Sequence, residues 1–171
     1  KGDTLDVMTL MGNFTTTIEA GNKKSYVFYA AGSGITPVIA LVKEILHKEP
    51  QSNVTLFYGN RGFTSIIFRE QLEGLKNTYT DRFRLIHVLS RENMGIPISF
   101  GRIDAEKCQH LFRTFGDIEE ADAFFICGPE PMINEVRSAL KEKGIAENKV
   151  HFELFTSPVG QLGTQRKKEV E

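Results

Sequence analysis

YVFYAAGSGITPV occupies residues 26–38. An apolar run stops at Gly32, and a pattern compatible with a helix opens around Pro37, leaving room only for a tight turn between them. The run reads as a buried strand, because it is short, apolar and bounded by glycine. The turn holds Gly32, Ser33, Gly34, Ile35, Thr36 and Pro37. Its glycines admit positive φ and close backbone approach, Thr36 suits a cap, and Pro37 suits the first helical position. A helix that begins here presents unpaired N–H groups and a positive dipole end, which attract an anion.

The same alternation continues outward. Further short apolar runs stand at 54–58 (VTLFY), 83–89 (FRLIHVL), 123–127 (AFFIC) and 150–154 (VHFEL). Between them, residues 36–48, 65–78, 104–115 and 131–143 carry apolar side chains three and four apart and are expected to be helices. Five strands alternating with four helices predict an α/β fold, a doubly wound five-stranded parallel sheet in the order 3-2-1-4-5 with right-handed crossovers.

The two ends differ from this middle. Residues 1–22 have glycine turns and strand-like pieces but no helical pattern, and read as the C-terminal remnant of a preceding β-barrel. Residues 23–155 form the expected nucleotide-binding unit. Residues 156–171 are small, polar and charged, and read as a linker or disordered tail. The chain therefore reads as a middle segment of a longer protein.

Composition narrows the function. With 21 basic and 22 acidic residues the formal charge is −1, so no positive field is available to hold nucleic acid or an anionic membrane. No apolar run approaches the roughly 20 residues that span a bilayer, and the chain reads as cytoplasmic. Cys108 and Cys127 form no C-x-x-C pair, and His47, His87, His110 and His151 are scattered. No metal site is expected.

Parallel strands gather their carboxyl ends on one edge, where open α/β sheets bind ligands. The 32–37 turn lies at that edge and suits a pyrophosphate, although Pro37 stands where the common dinucleotide fingerprint has its third glycine. Strand two ends in YGNRG, with Arg61 where the common design has an acidic ribose ligand, and strand three ends in LSRE. Ser90, Arg91 and Arg61 together suit a 2′-phosphate, since guanidinium forks match phosphate oxygens. Both arginines read equally well as solvated loop charges. Strand four ends in CGPEPMI, which places Cys127 at the mouth of the cleft, ahead of a second glycine turn that could bracket the same ligand. A free cysteine also reads as a small buried hydrophobe.

Taken together, AAGSGITP, LFYGNR, LSRE, FFICGPEPMI and HFELF resemble, in order and spacing, the pyridine-nucleotide domain of the ferredoxin–NADP reductase superfamily, over roughly residues 24–155. Within it the chain is most similar to oxygenase reductases, among them the reductase component of phenylacetyl-CoA epoxidase in phenylacetate degradation. The resemblance implies that residues 32–37 hold the pyrophosphate and that Ser90 and Arg91 meet the 2′-phosphate end, with NADP(H) preferred over NAD(H). It implies that Cys127, Gly128 and Pro129 lie beside the nicotinamide, followed by Glu130, Pro131 and Met132, and that Glu153 and Phe155 approach a flavin. It further implies an enzyme that passes hydride from NAD(P)H to FAD on an upstream domain, then single electrons to a 2Fe-2S domain downstream and an oxygenase partner. Three alternatives are a nucleotide-sensing module without hydride transfer, a flavohaemoglobin-type reductase, and a methyltransferase. The methyltransferase lacks its expected acidic residue at the end of strand two.

Overall fold

The computed structural model describes residues 14–154. Its sheet has five parallel strands, β1 (Ser25–Ala31), β2 (Asn53–Asn60), β3 (Phe83–Leu89), β4 (Ala123–Gly128) and β5 (Val150–Leu154), in the expected order β3-β2-β1-β4-β5. The helices are α1 (Ile35–Lys48), α2 (Arg69–Thr78), α3 (Ala105–Thr114) and α4 (Glu130–Glu142).

Alternation along the strands creates two cores. Tyr26, Phe28 and Ala30 of β1 join Val54, Leu56 and Tyr58 of β2 under α1 and α2. Val27 and Tyr29 face the other way, with Phe57, Phe124 and Ile126, against α3 and α4. β1 therefore has no polar face, which explains its unbroken apolar run.

Two helix starts differ from expectation, each for a local reason. α1 is preceded by a 3-10 turn over Gly32–Gly34, so the chain is already helical before Pro37, which becomes the third residue of α1. Thr36 does not cap: its hydroxyl donates back to the Ser33 carbonyl at 2.9 Å. α2 starts at Arg69 rather than at 65, because Ser65 Oγ is engaged with the N–H and carbonyl of Gly62 in a separate 3-10 turn. Phe68 then adopts a left-handed φ of 57° before the helix begins.

No strand forms over 14–22 among the described residues. This segment packs Phe14 and Ile18 against the α1-side core, so the expected barrel remnant is not found there. The rest of that reading, residues 1–13, lies outside the described residues, as do Phe155 and the expected tail at 156–171. No helix among the described residues is long and apolar enough to cross a membrane.

Candidate functional site

The chain leaves β1 toward α1 on one face of the sheet, and leaves β4 toward α4 on the other. A crevice must open between these neighbouring strand ends, the topological switch point of an open α/β sheet. Both glycine turns lie at it. Gly32 has φ of 53°, a conformation that favours glycine, with open space where a Cβ would be. Gly34 has ordinary φ of −60° and is required for a different reason. A Cβ there would stand 2.5 Å from the Cys127 carbonyl carbon and 2.8 Å from the Gly128 nitrogen. The two turns thus touch through their backbones. Gly128 closes the contact from its own side, since a Cβ on it would come within 3.2 Å of the Ala31 nitrogen.

The first turn is braced from β2, where the Tyr58 hydroxyl donates to the Gly32 carbonyl at 2.9 Å. Ile35 N–H bonds back to the carbonyls of Gly32 and Ser33, so the helical start is effectively Gly32. The N–H groups of Ser33 and Gly34 then have no carbonyl within the helix to bond. No acidic side chain occupies the first turn of α1 to neutralise its positive end. Ser33 and Thr36 are exposed and Pro37 is half-buried at this edge, whereas Ile35 is buried in the core and offers the site only its backbone.

Cys127 is at the end of β4 as expected, but its thiol does not line an open mouth. The residue is fully buried in the α1-side core, and burial, followed by the charge of Glu153, pushes the thiol up to about 11. Glu153 is its register partner on β5 and is exposed, so this carboxylate is the accessible member of the pair. Pro129 takes extended backbone as the N-cap of α4, with Glu130 and Pro131 exposed in the first turn. Met132 is buried in the α3/α4-side core, with its methyl group against Gly128.

Beyond β2 and β3 the ladder continues for two steps: Ser90 N–H donates to the Asn60 carbonyl at 2.9 Å, and Arg91 N–H to the Arg61 carbonyl at 2.8 Å. The backbones of Arg61 and Arg91 are therefore adjacent. Both side chains are exposed, and among the described residues neither guanidinium makes an ion pair or hydrogen bond. Ser90 is half-buried beside them.

Sequence reasoning passed over three contributors. Glu92, the last letter of LSRE, accepts from Phe63 N–H at 2.7 Å and adds a carboxylate to the arginine edge. Lys107 is 9% exposed and donates to the carbonyls of Pro97 and Ile98 at 2.9 and 3.3 Å, pinning the loop that carries Arg91. The third is the Tyr58 brace. Glu92 was legible in the motif; for the other two no local pattern announces that a side chain will reach a distant carbonyl.

Comparison with known proteins agrees with this geometry. Residues 28–138, which contain both turns, match the family described as "Oxidoreductase NAD-binding domain". The chain is 39% identical over 170 residues to one of the subunits of 1,2-phenylacetyl-CoA epoxidase of Escherichia coli (strain K12), covering 99% of this chain and 47% of that protein. It is 33% identical over 159 residues to the ferredoxin reductase component of 3-ketosteroid-9-alpha-monooxygenase of Rhodococcus rhodochrous, covering 93% and 41%. The chain thus spans less than half the length of either curated relative. Among solved structures, the cytochrome b5 reductase domain of Ulva prolifera nitrate reductase superposes with a TM-score of 0.69 at 25% identity, over 84% of this chain and 56% of that one.

Proposed function

The chain belongs to the oxidoreductase NAD-binding domain family, in its ferredoxin reductase-like form, and from that premise we propose that it binds NAD(P)H and presents the nicotinamide to a flavin. The protein is on this reading a flavin-dependent reductase that feeds electrons, through an iron–sulfur centre, to an oxygenase. Its relationship to the epoxidase component favours phenylacetate degradation as the setting. The observation that carries the reading is the contact between the turns, because backbone touching backbone at Gly34 and Cys127–Gly128 makes one continuous shelf from two strand ends.

The residues present fit a dinucleotide. Free first-turn amides and the positive end of α1 suit the pyrophosphate at Gly32, Ser33 and Gly34, with Thr36 and Pro37 beside them. Pro129, Glu130 and Pro131 continue the shelf past Cys127. A neutral, buried Cys127 supplies an uncharged floor beside the nicotinamide, and Glu153 supplies the polar group able to accept or return a proton at its carboxylate oxygen. Bound nicotinamide nucleotide contributes hydride, and flavin accepts a pair and releases electrons singly. The work of the protein is to orient the two rings.

Arg61 and Arg91, without ion-pair partners among the described residues and joined by backbone, support a preference for NADP(H). Glu92 opposes it by like charge, so the preference rests on two guanidinium groups against one carboxylate. The experiment is anaerobic stopped-flow reduction of the flavin-bearing protein by NADPH and NADH, with titration of both oxidised nucleotides against wild type and Arg91→Ala at fixed ionic strength. Charge-assisted hydrogen bonds are worth roughly 1.5–3 kcal/mol, so NADP affinity should fall about ten- to a hundredfold while NAD affinity holds. Flavin that neither nucleotide reduces would end the reductase reading, and equal weakening of both nucleotides would end the 2′-phosphate assignment.

A further inference from the structure

At the opposite end of the sheet, in the connection from α1 to β2, Glu49 is a fully buried carboxylate. Isolated buried charge is strongly unfavourable, so its partners show what the burial achieves. No ion pair to Glu49 occurs among the described residues. Arg82, in the same region, spends its guanidinium on the backbone carbonyls of Leu46, Glu49 and Ser52 at 2.8–2.9 Å. Hydrogen-bond donors surround the carboxylate instead. Ser52 Oγ donates at 2.6 Å, Tyr26 Oη at 3.0 Å, Asn22 Nδ2 at 2.5 Å and the Glu19 backbone N–H at 3.3 Å. These bonds outweigh burial and hold the carboxyl below its usual range, so the charged form is the one the fold selects.

Two of the four donors come from the segment that enters the domain. Ser52 adds a further tie to it by accepting from the Lys24 N–H at 3.0 Å. The other end of that segment lies well up the sheet. Phe14 meets Phe125 of β4 edge to face, with ring centroids 5.3 Å apart, and Phe125 shares its face of β4 with Cys127. Two residues of strand separate them, about 7 Å. Residues 14–22 thus span from the Glu49 end of the sheet to within one alternation of the candidate nicotinamide floor.

We infer that Glu49 is a positioning residue for the chain that enters this domain: by binding Glu19 and Asn22 it fixes the path of residues 14–24, so that the chain enters at Phe14 on the Cys127 side of the sheet. The consequence for flavin rests on the reductase reading above. A preceding flavin domain would be held by this anchor at a set position against the shelf, although Glu49 itself touches neither ligand.

Two measurements test the anchor and its consequence separately. Amide hydrogen exchange on this chain, read by NMR, compares wild type with Glu49→Gln, using residues 124–126 of β4 as reference. Glutamine keeps one acceptor oxygen but turns an NH2 group toward other donors. Exchange at Glu19 and Lys24 should rise about tenfold or more, the factor expected for one charge-assisted bond, while the reference amides hold. Unchanged exchange at Glu19 and Lys24, or an equal rise throughout, overturns the anchor. If Glu49→Gln does not fold, Asn22→Ala takes its place, since it leaves the carboxylate bonded to Tyr26 and Ser52; the same local pattern is expected and the same results overturn it. In the flavin-bearing protein, either variant should slow flavin reduction about tenfold with nucleotide Kd within about twofold, the split expected when geometry and not binding is lost. Raised exchange with an unchanged reduction rate overturns the delivery role. A wild type that cannot reduce flavin removes the reductase reading, and the anchor is then decided by exchange alone.

Discussion

Replacing Gly34 with alanine tests whether the two turns are held by direct backbone contact. The added Cβ would stand 2.5 Å from the Cys127 carbonyl carbon and 2.8 Å from the Gly128 nitrogen, whereas relaxed carbon contacts lie near 3.5–4.0 Å. About 1 Å must be found. The obstructing atoms are backbone in β4, paired on one side with β1 and on the other with β5, and cannot rotate away as a flexible side chain would. Overpacking of this kind costs about 1–3 kcal/mol. Gly32→Ala is the control, because its Cβ meets open space and the expected cost, about 1–2 kcal/mol, comes from left-handed backbone alone. Equilibrium urea unfolding of both variants measures the loss, and nucleotide titration of Gly34→Ala should show weaker binding because the shelf is split. Gly34→Ala within about 0.5 kcal/mol of wild type, a change typical of surface sites, with unchanged nucleotide affinity, would refute the interlock.

Two further predictions concern buried groups. The fold holds the Cys127 thiol up at about 11 against an ordinary value near 9, so the unfolded chain releases this proton first as pH rises; stability present below pH 9 is lost progressively toward pH 11, at up to about 1.4 kcal/mol per pH unit for one group. Urea unfolding from pH 8 to 10.5 should show a shallower alkaline loss for Cys127→Ala than for wild type, and parallel slopes would contradict the assignment. Lys107→Met keeps the aliphatic stem but removes the donors to Pro97 and Ile98, so the 90–101 loop should open more often. Tryptic cleavage after the exposed Arg91 should then accelerate about tenfold, from a loss near 1.4 kcal/mol, and an unchanged rate would show that the loop is held by other contacts.

Much of the architecture was legible because strand and helix are written in local periodicity. The 26–31 run, with both faces apolar, required a central strand covered by helices, and it occupies the middle of the sheet. The 32–37 and 127–132 turns could be named as candidate site segments because parallel strands must end on a common edge. Boundaries were less legible where a side chain had a competing bond. Ser65 looked like a helix start, yet its hydroxyl bonds to Gly62, and Thr36 looked like a cap but lies within the helix.

By itself the sequence determined that a parallel α/β sheet forms and which loops meet at its carboxyl edge, since these follow from hydrophobic spacing and chain connectivity. Tertiary structure alone decided how each residue is placed there. Gly32 and Gly34 are the same letter, but one supplies a left-handed turn and the other lets two backbones touch. Cys127 and Glu153 are 26 positions apart in sequence and become register partners, the first fully buried and the second exposed. Glu49, an ordinary charged residue after a helix, became a buried anchor because donors from residues 19, 22, 26 and 52 converge on it. Such roles depend on desolvation and on contacts between distant segments, and both exist only once the chain has folded.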